Sequence, residues 1–311
     1  MGRLGNDSLI NWLHQENIPL FMPFPLIQPH EEWLDPDTPR QRWHTDPPRV
    51  VVPEIDGRHA TPSASLPKNE NKQGYYLYTA ENERIDAVVD HITKYMSLRD
   101  MSNKEKRVAI CYFKTPGKDA LLASGMEVIP SLYNFLKRLR SEGYDVSGLP
   151  ATVEEFGKRI HRDGAVMGSY AKGAQEQFLK TAHPIWLSTE QYEQWAHEVL
   201  LPEKYQEVTD RYGDAPGNLL VTEDSIAIAC LQFGNILLFP QPRPALGDDE
   251  FKLVHGMPVA PPHSYLAPYL YMQKGFKGRC SDSLRHPRQL GIHARKECGT
   301  VAGRLVGCTD W

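Results

Sequence analysis

The residues with the most obvious chemical potential lie near the end of the chain. Cysteine and histidine, the usual ligands of zinc, recur there as Cys280, His286, His293, Cys298 and Cys308. Their separations lack the closely spaced ligand pairs of structural zinc sites. The cluster leaves two interpretations: a metal-binding tail that regulates the rest of the chain, or a stretch that was never selected to fold.

Two carboxylates, Glu54 and Asp56, follow a β-branched run at residues 50–52 and precede Gly57. Neighbouring carboxylates raise one another's pKa and offer oxygen ligands to hard cations, so the pair could accept protons or relay a divalent metal. A solvated turn at the end of a strand would have the same sequence. Glu54 is our candidate for this proton or metal transfer.

Side-chain amides and a histidine form a second group of candidates. Gln232 and Asn235 lie directly before an apolar run, and Gln241 follows that run. Amides can hydrogen-bond a ligand without adding charge to a pocket, although they also commonly satisfy loop backbone. His263 follows two prolines at the start of another apolar segment. A histidine in that position is more often a helix cap than a ligand.

Composition excludes several classes of function. With 41% hydrophobic and 24% charged residues, the 311-residue chain has an ordinary globular composition that can bury a sizeable core. The net charge of −4 is not accompanied by basic clusters, which argues against nucleic acid and anionic membranes as partners. No segment approaches the ~20 apolar residues of a membrane span. We therefore expect a cytoplasmic protein with reduced cysteines.

Short apolar runs alternate with amphipathic stretches, which predicts an α/β fold of mixed strand–helix units. Continuous apolar runs predict strands over residues 49–53, 107–113 and 236–239. Apolar residues at helical spacing predict helices over residues 82–96, 120–140 and 263–274. Most of the 25 prolines lie in residues 19–67 and 240–268, which predicts long Pro-rich loops around a cleft.

Local signals predict the remaining elements. Residues 144–146 should begin a strand, and residues 219–221 should pair with 226–229 as a hairpin. Helix starts are marked by two capping boxes, Thr152 with Glu155 and Ser188 with Gln191. We therefore expect a mostly helical insertion over residues 152–212.

Together, these segments resemble the large subunit of cobaltochelatase and of magnesium chelatase, the CobN/magnesium chelatase H family. The matching stretches are VVPEIDG from Val51, KRVAI from Lys106 with the following Pro-Gly-Lys turn, SLYN from Ser131 through EGYDV, LQFGN from Leu231, PQP from Pro240, and PPH from Pro261 with YLA. They occur in the family's order and extend from residue 17 to residue 277. This collinearity is far more specific than any single motif.

The resemblance implies insertion of a divalent metal into a tetrapyrrole. This chain would hold the ring, and separate AAA+ subunits of the CobS and CobT type would hydrolyse ATP. Closer likeness to the CobN branch favours cobalt(II) as the substrate metal and a corrin, hydrogenobyrinic acid a,c-diamide, as the ring, in cobalamin biosynthesis. Magnesium and protoporphyrin are the alternative.

The resemblance also implies roles for individual residues. Glu54 would transfer protons or metal, and Asp86 falls where the family has an acidic residue on the helix before strand 107–113. The amides would line the ring, and His263 would contact the substrate. Pro268 departs from the aromatic or aliphatic residue that the family has at that position.

The likeness ends after residue 277. There the family continues with a segment resembling ADALIHFGTHGSLEFTPGK, whose two histidines are candidates for metal or proton handling, whereas this chain reads GRCSDSLRHPRQLGIHARK. Removal of one nucleotide at codon 278 permits the family-like reading. We therefore expect residues 278–311 to be an out-of-frame translation that follows an internal fragment of a chelatase subunit, inactive by itself.

The sequence thus predicts five regions. They are the N-terminal part of the chelatase region (1–105), a strand–loop–helix α/β unit (106–150), a helical segment (151–214), a β-rich motif region with a closing helix (215–277) and the out-of-frame tail (278–311). A non-catalytic tetrapyrrole-binding or scaffold module is the main alternative function, and a zinc-binding regulatory tail is another.

Overall fold

The structure is a computed structural model that describes residues 11–13, 15–16, 18–29, 58–66, 79–80, 82–113, 122–123, 126–167, 172–249, 252, 259–276 and 280–284. The chain divides into two units, Met1–Asp100 and Met101–Trp311. Strands and helices alternate along the described residues, as expected for an α/β protein.

The first unit contains a small sheet and a long helix among its described residues. Its elements are strands β1 (Leu20–Pro29), β2 (Arg58–Leu66) and β3 (Thr79–Ala80) and helix α1 (Asn82–Asp100). β1 is parallel to β2, and β3 is antiparallel to β2. The ring of Phe21 packs edge-on against His91 and Tyr95 of α1. β1 and β2 both lie within residues 19–67, the stretch predicted to be a Pro-rich loop. The predicted strand at residues 49–53 lies outside the described residues.

The second unit is built around a four-stranded sheet whose strands are residues 280–284, 108–112, 236–240 and 231–233, in that order across the sheet. Its elements in chain order are β4 (Val108–Tyr112), β5 (Leu122–Ala123), β6 (Met126–Glu127), α2 (Val128–Ser141), α3 (Val153–Asp163), α4 (Lys172–Thr181), β7 (Ile185–Ser188), α5 (Thr189–Val199), α6 (Pro202–Tyr212), β8 (Ser225–Ile228), β9 (Leu231–Phe233), β10 (Ile236–Pro240), α7 (His263–Leu270) and β11 (Cys280–Leu284). β10 and β11 are both parallel to β4, and β9 is antiparallel to β10.

The two inner strands of this sheet are covered on both faces. Val108, Ile110 and Tyr112 of β4 belong to a core with α2 and α3, whereas Ala109 and Cys111 belong to a core with α5, α6 and α7. β10 alternates between the same two cores, and all of its residues are buried. Because parallel strands that are buried on both faces need no polar positions, they read as continuous apolar runs. The strands predicted within residues 107–113 and 236–239 are confirmed.

Both predicted helix starts are confirmed, with Thr152 and Ser188 as the N-cap residues. The Thr152 hydroxyl accepts a hydrogen bond from the Glu155 N–H at 3.3 Å, and the Ser188 hydroxyl accepts one from the Gln191 N–H at 3.2 Å. These bonds satisfy amides that have no partner inside the helix. Helices α3 to α6 confirm that residues 152–212 are mostly helical, although the short strand β7 interrupts them.

The helix predicted over residues 120–140 begins later than expected. α2 starts at Val128, and residues 122–123 instead pair with residues 126–127 as a short antiparallel ladder. Pro130 explains the shift. Proline lacks the N–H that a helix interior requires, but it is tolerated in the first turn, where the amides have no partner within the helix.

The strand predicted at residues 144–146 is wrong. The segment is irregular, and it lies between Gly143 and Gly148, which both have positive φ. The Asp145 carboxylate accepts a hydrogen bond from the Ser147 N–H at 3.1 Å, and the pKa of Asp145 is lowered by the hydrogen bonds from Ser147. This local turn competes with extension into a strand.

The hairpin predicted for residues 219–229 is confirmed only near its turn. An antiparallel bridge joins Val221 to Ile226, and backbone hydrogen bonds join Thr222 to Ser225 at 2.9 Å and Ala227 to Leu220 at 2.7 Å, but β8 takes β7 as its strand partner. Leu220 has a φ of 58°, which an extended strand cannot accommodate. A hairpin of two paired strands lies further on, where β9 and β10 are connected by Gly234 and Asn235.

The predicted helix near the end of the family-like region is confirmed, with a change of geometry. α7 begins at His263 and continues into a π-helical turn over Tyr271–Gly275. The Phe276 N–H donates to the Tyr271 carbonyl at 2.7 Å, and this separation of five residues is typical of a π-helix. The wider turn begins three residues after Pro268, which supplies no N–H of its own.

Candidate functional site

The carboxyl ends of β4 and β10 meet at one edge of the central sheet, because the two strands are parallel. The backbone N–H of Gln241, directly after β10, donates to the carbonyl of Tyr112, the last residue of β4, at 2.8 Å. β9 is antiparallel to β10, so its start beside Cys230 reaches the same edge. Ligands of open α/β sheets bind outside the carboxyl ends of the strands. We therefore take this edge as the candidate site.

A buried carboxylate lies close to this edge, at the end of α3. The Tyr112 hydroxyl donates to the Gly164 carbonyl at 3.4 Å, which places the end of α3 beside the end of β4. The Asp163 side chain is only 7% exposed. It accepts two hydrogen bonds from the Arg162 guanidinium, at 2.8 and 2.7 Å, and one from the backbone N–H of His183 at 3.0 Å.

The charge of Asp163 is maintained by these donors. Burial alone would raise the pKa of Asp163, but the hydrogen bonds from Arg162 and from the His183 backbone outweigh it and hold the pKa below its usual value. The His183 imidazole Nδ1 lies 3.4 Å from the same carboxylate, and this side chain is mostly exposed. The carboxylate therefore joins the end of α3 to the segment that leads into β7.

Sequence reasoning did not identify Asp163, although one signal was available. A carboxylate in the last turn of a helix is repelled by the negative end of the helix dipole, so its charge normally requires a neighbouring positive group. Arg162, the preceding residue, supplies it. The contact with His183 has no local signal, because the two residues are twenty positions apart.

The thiol and phenol groups at this edge remain protonated at neutral pH. Burial raises the pKa of Cys230 to about 12 and raises that of Tyr112 far above its ordinary value. Neither Cys111 nor Cys230 forms a disulfide, and both are buried. A thiolate is the reactive form of cysteine, so Cys230 is a packing group.

Two of the predicted amides lie together at the opposite edge of the sheet. The Gln232 amide donates to the Gly234 carbonyl at 3.0 Å, and the Asn235 amide donates to the Lys104 carbonyl at 2.9 Å. Asn235 is further fixed by its backbone, whose N–H donates to the Asp145 carbonyl at 2.9 Å. Both amide NH₂ groups thus stabilise the β9–β10 hairpin and its surroundings.

The third amide is separated from these two by the length of β10. Asn235 precedes β10 and Gln241 follows it, and six residues of extended chain correspond to about 20 Å. The structure therefore brings Gln232 and Asn235 together but does not bring them to Gln241. Of the three, only Gln241 lies at the carboxyl edge.

His263 is buried at the start of α7, with 1% of its surface exposed. Its Nδ1 lies 2.9 Å from the Tyr192 hydroxyl and its Nε2 lies 2.9 Å from the Gly213 carbonyl. Burial lowers the pKa of His263, against the opposing effects of the Gly213 hydrogen bond and of the Glu193 and Asp214 charges. Both ring nitrogens are thus engaged within the fold.

The remaining candidates are placed as follows. Asp86 is exposed on α1 in the first unit, and Glu54 lies outside the described residues. Cys280 begins β11, and the other cysteines and histidines of the tail lie outside the described residues. Within the described ranges, no group of three or more His, Cys, Asp or Glu side chains could hold a metal ion. None of the helices in those ranges is long and apolar enough to cross a bilayer.

Comparison with known proteins yields a consistent set of relatives. Residues 3–280 match the family model described as CobN/Magnesium Chelatase. The aerobic cobaltochelatase subunit CobN of Pseudomonas aeruginosa is 27% identical over 266 residues, which cover 83% of this chain and 20% of that protein. The chloroplastic magnesium-chelatase subunit ChlH of Oryza sativa subsp. indica is 24% identical over 311 residues, 99% of this chain and 20% of the relative.

A solved structure is similar over most of the chain. The catalytic subunit of cobaltochelatase from Mycobacterium tuberculosis superimposes with a TM-score of 0.65 at 25% identity, and the match covers 85% of this chain and 22% of that subunit. The chain thus spans about a fifth of the length of the relatives that it matches.

Proposed function

Because the chain belongs to the CobN/magnesium chelatase family, we propose that it forms part of the tetrapyrrole-binding large subunit of an ATP-dependent metal chelatase. The match to the family model over residues 3–280 is the observation that carries the proposal. The structural similarity to a cobaltochelatase catalytic subunit supports it. The substrate metal is cobalt(II), the ring is hydrogenobyrinic acid a,c-diamide, and the pathway is cobalamin biosynthesis in the cytoplasm.

The proposed reaction replaces the inner N–H protons of the ring by a divalent metal. It requires a proton acceptor and a cavity from which water can be removed as the metal sheds its hydration shell. We propose Glu54 and Asp86 as proton acceptors, with Glu54 also relaying the metal. ATP hydrolysis belongs to AAA+ partner subunits of the CobS and CobT type, which would drive closure around the ring.

Gln241 is the amide that we propose first for ring binding. It lies at the carboxyl edge, whereas the NH₂ groups of Gln232 and Asn235 already donate to the backbone carbonyls of Gly234 and Lys104. A neutral amide suits the carboxamide and carboxylate groups on the rim of a corrin. His263, with both ring nitrogens engaged, is proposed to support the site from within the core.

The binding test uses the purified full chain. The chain is titrated with hydrogenobyrinic acid a,c-diamide, and binding is monitored by the absorption spectrum of the ring. The spectral change should saturate as the ring is added. Gln241→Ala should weaken this binding on the order of tenfold, as expected for loss of a hydrogen bond worth about 1.4 kcal/mol, whereas Gln232→Ala should not. The absence of any binding by the wild-type chain would refute the proposal, and equal effects of the two variants would refute the role of Gln241.

The choice of metal and ring is tested in the same way. Protoporphyrin in place of the corrin, with Mg²⁺ in place of Co²⁺, distinguishes the magnesium chelatase alternative. Addition of CobS- and CobT-type partners with ATP then separates chelation from binding alone. Metal uptake that requires ATP supports the chelatase, whereas ring binding without uptake would identify a tetrapyrrole-binding module.

We also propose that residues 278–311 are translated out of frame. The match to the family model ends at residue 280, close to the proposed shift at codon 278, whereas the alignment with the Oryza sativa subunit covers 99% of the chain. β11 reads CSDSL, whereas its parallel partner β4 reads VAICY, and the shifted frame would read ALIHF at the β11 positions. The shifted reading is the more typical one for a strand of a parallel sheet. Sequencing of the source DNA decides the matter: a gene that lacks the alternative reading would exclude the frame change.

A further inference from the structure

We propose that the last turn of α6 positions the segment that leads out of β10, and that Asp249 and His263 are the positioning residues that attach this segment to α6. The segment, here called the β10–α7 connection, comprises residues 241–262, of which 241–249, 252 and 259–262 are described. It begins with Gln241 at the carboxyl edge of the sheet. The consequence for ring binding rests on the proposed function, whereas the attachment itself does not.

The first attachment is a charged pair between the connection and α6. The Asp249 side chain is 5% exposed, and its Oδ2 accepts a hydrogen bond from Nε of Arg211 at 2.7 Å. Its Oδ1 accepts from Nη2 of the same guanidinium and from Nζ of Lys252, the latter at 3.0 Å. Two parallel hydrogen bonds between planar groups fix orientation as well as distance. The carboxylate therefore has one position relative to α6.

The conformation of the connection carries Asp249 to this position. Its backbone N–H donates to the Leu246 carbonyl at 3.2 Å, which closes a turn, and Ala245 beside that turn is fully buried. The hydrogen bonds from Arg211 also lower the pKa of Asp249, so it stays ionised at neutral pH. The residues before Asp249 are thus ordered along with the attachment.

The second attachment is the hydrogen bond between Nε2 of His263 and the carbonyl of Gly213, at 2.9 Å. Gly213 ends α6 with a φ of 79°, a conformation that glycine adopts without strain. Its own N–H remains bonded to the Thr209 carbonyl at 2.8 Å, so the residue caps the helix while its carbonyl is available to His263.

Both attachments converge on a single turn, because Arg211 and Gly213 flank Tyr212, the last residue of α6. A cavity with a volume of about 400 Å³ adjoins the first attachment. It is lined by Arg211 and Asp249 themselves, by Glu207 and Asp210 of α6, and by Lys252, Val259 and Ala260 of the connection.

The first attachment should affect the position of Gln241. If Arg211 and Asp249 no longer hold the middle of the connection, the fraction of molecules with Gln241 in its binding geometry falls. The apparent affinity for a ligand falls by the same factor as the competent fraction. Loss of the pair should therefore weaken ring binding even though neither residue touches the ring.

The experiment measures the attachment and the binding separately. Arg211→Gln, Asp249→Asn and the double variant are made in the full chain, together with Arg138→Gln, which removes the exposed pair between Arg138 and Glu142 as a control. Hydrogen–deuterium exchange of residues 241–249 reports the attachment. Titration with hydrogenobyrinic acid a,c-diamide reports the binding, and circular dichroism reports global folding.

Each single variant should accelerate exchange at residues 241–249 on the order of tenfold or more, and it should weaken ring binding by the factor by which the fraction of molecules with the connection attached falls. The double variant should be no worse than either single one, because the two residues act as a pair. Arg211→Lys, which keeps the charge but loses the planar fork, should lie between wild type and Arg211→Gln, and it serves as the test if Arg211→Gln does not fold.

Three results would overturn the inference. The first is exchange at residues 241–249 that is no faster in the Arg211 and Asp249 variants than in Arg138→Gln. The second is a double variant whose effect equals the sum of the Arg211→Gln and Asp249→Asn effects. The third is ring binding that stays at the wild-type level while exchange accelerates. If the wild-type chain binds no ring, the proposed function fails, and the exchange measurements still decide whether the pair attaches the connection.

Discussion

The hydroxyl of Tyr192 donates a hydrogen bond to Nδ1 of His263 across 2.9 Å. The direction of this bond follows from the other side of the ring. The Gly213 carbonyl can only accept, so Nε2 of His263 must carry the hydrogen, and Nδ1 of the neutral ring must be the acceptor. One neutral tautomer therefore satisfies both nitrogens and links α5, the end of α6 and the start of α7.

Stability should fall at mildly acidic pH because of His263. Burial lowers its pKa in the folded state, whereas the unfolded chain has the ordinary value of about 6.5. The unfolded state thus binds more protons as the pH falls below about 6.5, which lowers the free energy of unfolding by up to ~1.4 kcal/mol per pH unit. Glu193 and Asp214 face the ring with negative charge and limit the loss.

Urea unfolding at pH 7.5 and 5.5 measures this effect. The wild-type chain should lose more stability between the two pH values than His263→Gln, which cannot be protonated. His161→Gln, the same change at an exposed position of α3, should keep the wild-type difference. An equal pH dependence in the wild type and His263→Gln would exclude His263 as its source.

Tyr192→Phe should destabilise the fold by about 1–3 kcal/mol, because it leaves Nδ1 of His263 buried without its donor. Denaturant unfolding at pH 7.5 provides the measurement. A double-mutant cycle with His263→Gln isolates the pair, and the cost of the double variant should be smaller than the sum of the single costs. Strict additivity would mean that the contact contributes no coupling energy.

Gly275→Ala should destabilise the chain by about 1–3 kcal/mol. An added Cβ would lie 2.6 Å from the ring of Tyr271 and 3.0 Å from that of Trp195, so the π-helical turn would have to shift. Gly173→Ala is the matched control, since its Cβ meets nothing within 4 Å and it lies in a helix, where alanine is favoured by about 1 kcal/mol. Thermal unfolding should show opposite signs for the two variants.

Leu136→Ala should cost about 2–5 kcal/mol, because Leu136 is fully buried between α2 and the central sheet. Its neighbour Phe135 is 38% exposed, so Phe135→Ala should cost clearly less despite removing a larger side chain. Equilibrium unfolding in urea compares the two. The reverse order would mean that the face of α2 that packs on the sheet is assigned wrongly.

The sequence by itself determined the elements whose signal is local, together with the family. β4 and β10 are continuous apolar runs because both of their faces are buried, and Thr152 and Ser188 begin helices because a hydroxyl can satisfy a free amide within the same turn. The order of motifs along the chain indicates the CobN/magnesium chelatase family, which the family model confirms.

Only the tertiary structure decided which polar side chains share a location. Gln232, Asn235 and Gln241 are close in sequence, but a hairpin followed by a full strand carries Gln241 to the other edge of the sheet. Tyr192 and His263 are 71 residues apart and yet form a direct hydrogen bond. Such proximity depends on strand direction and on how helices pack on the sheet, and neither leaves a periodic trace in the local sequence.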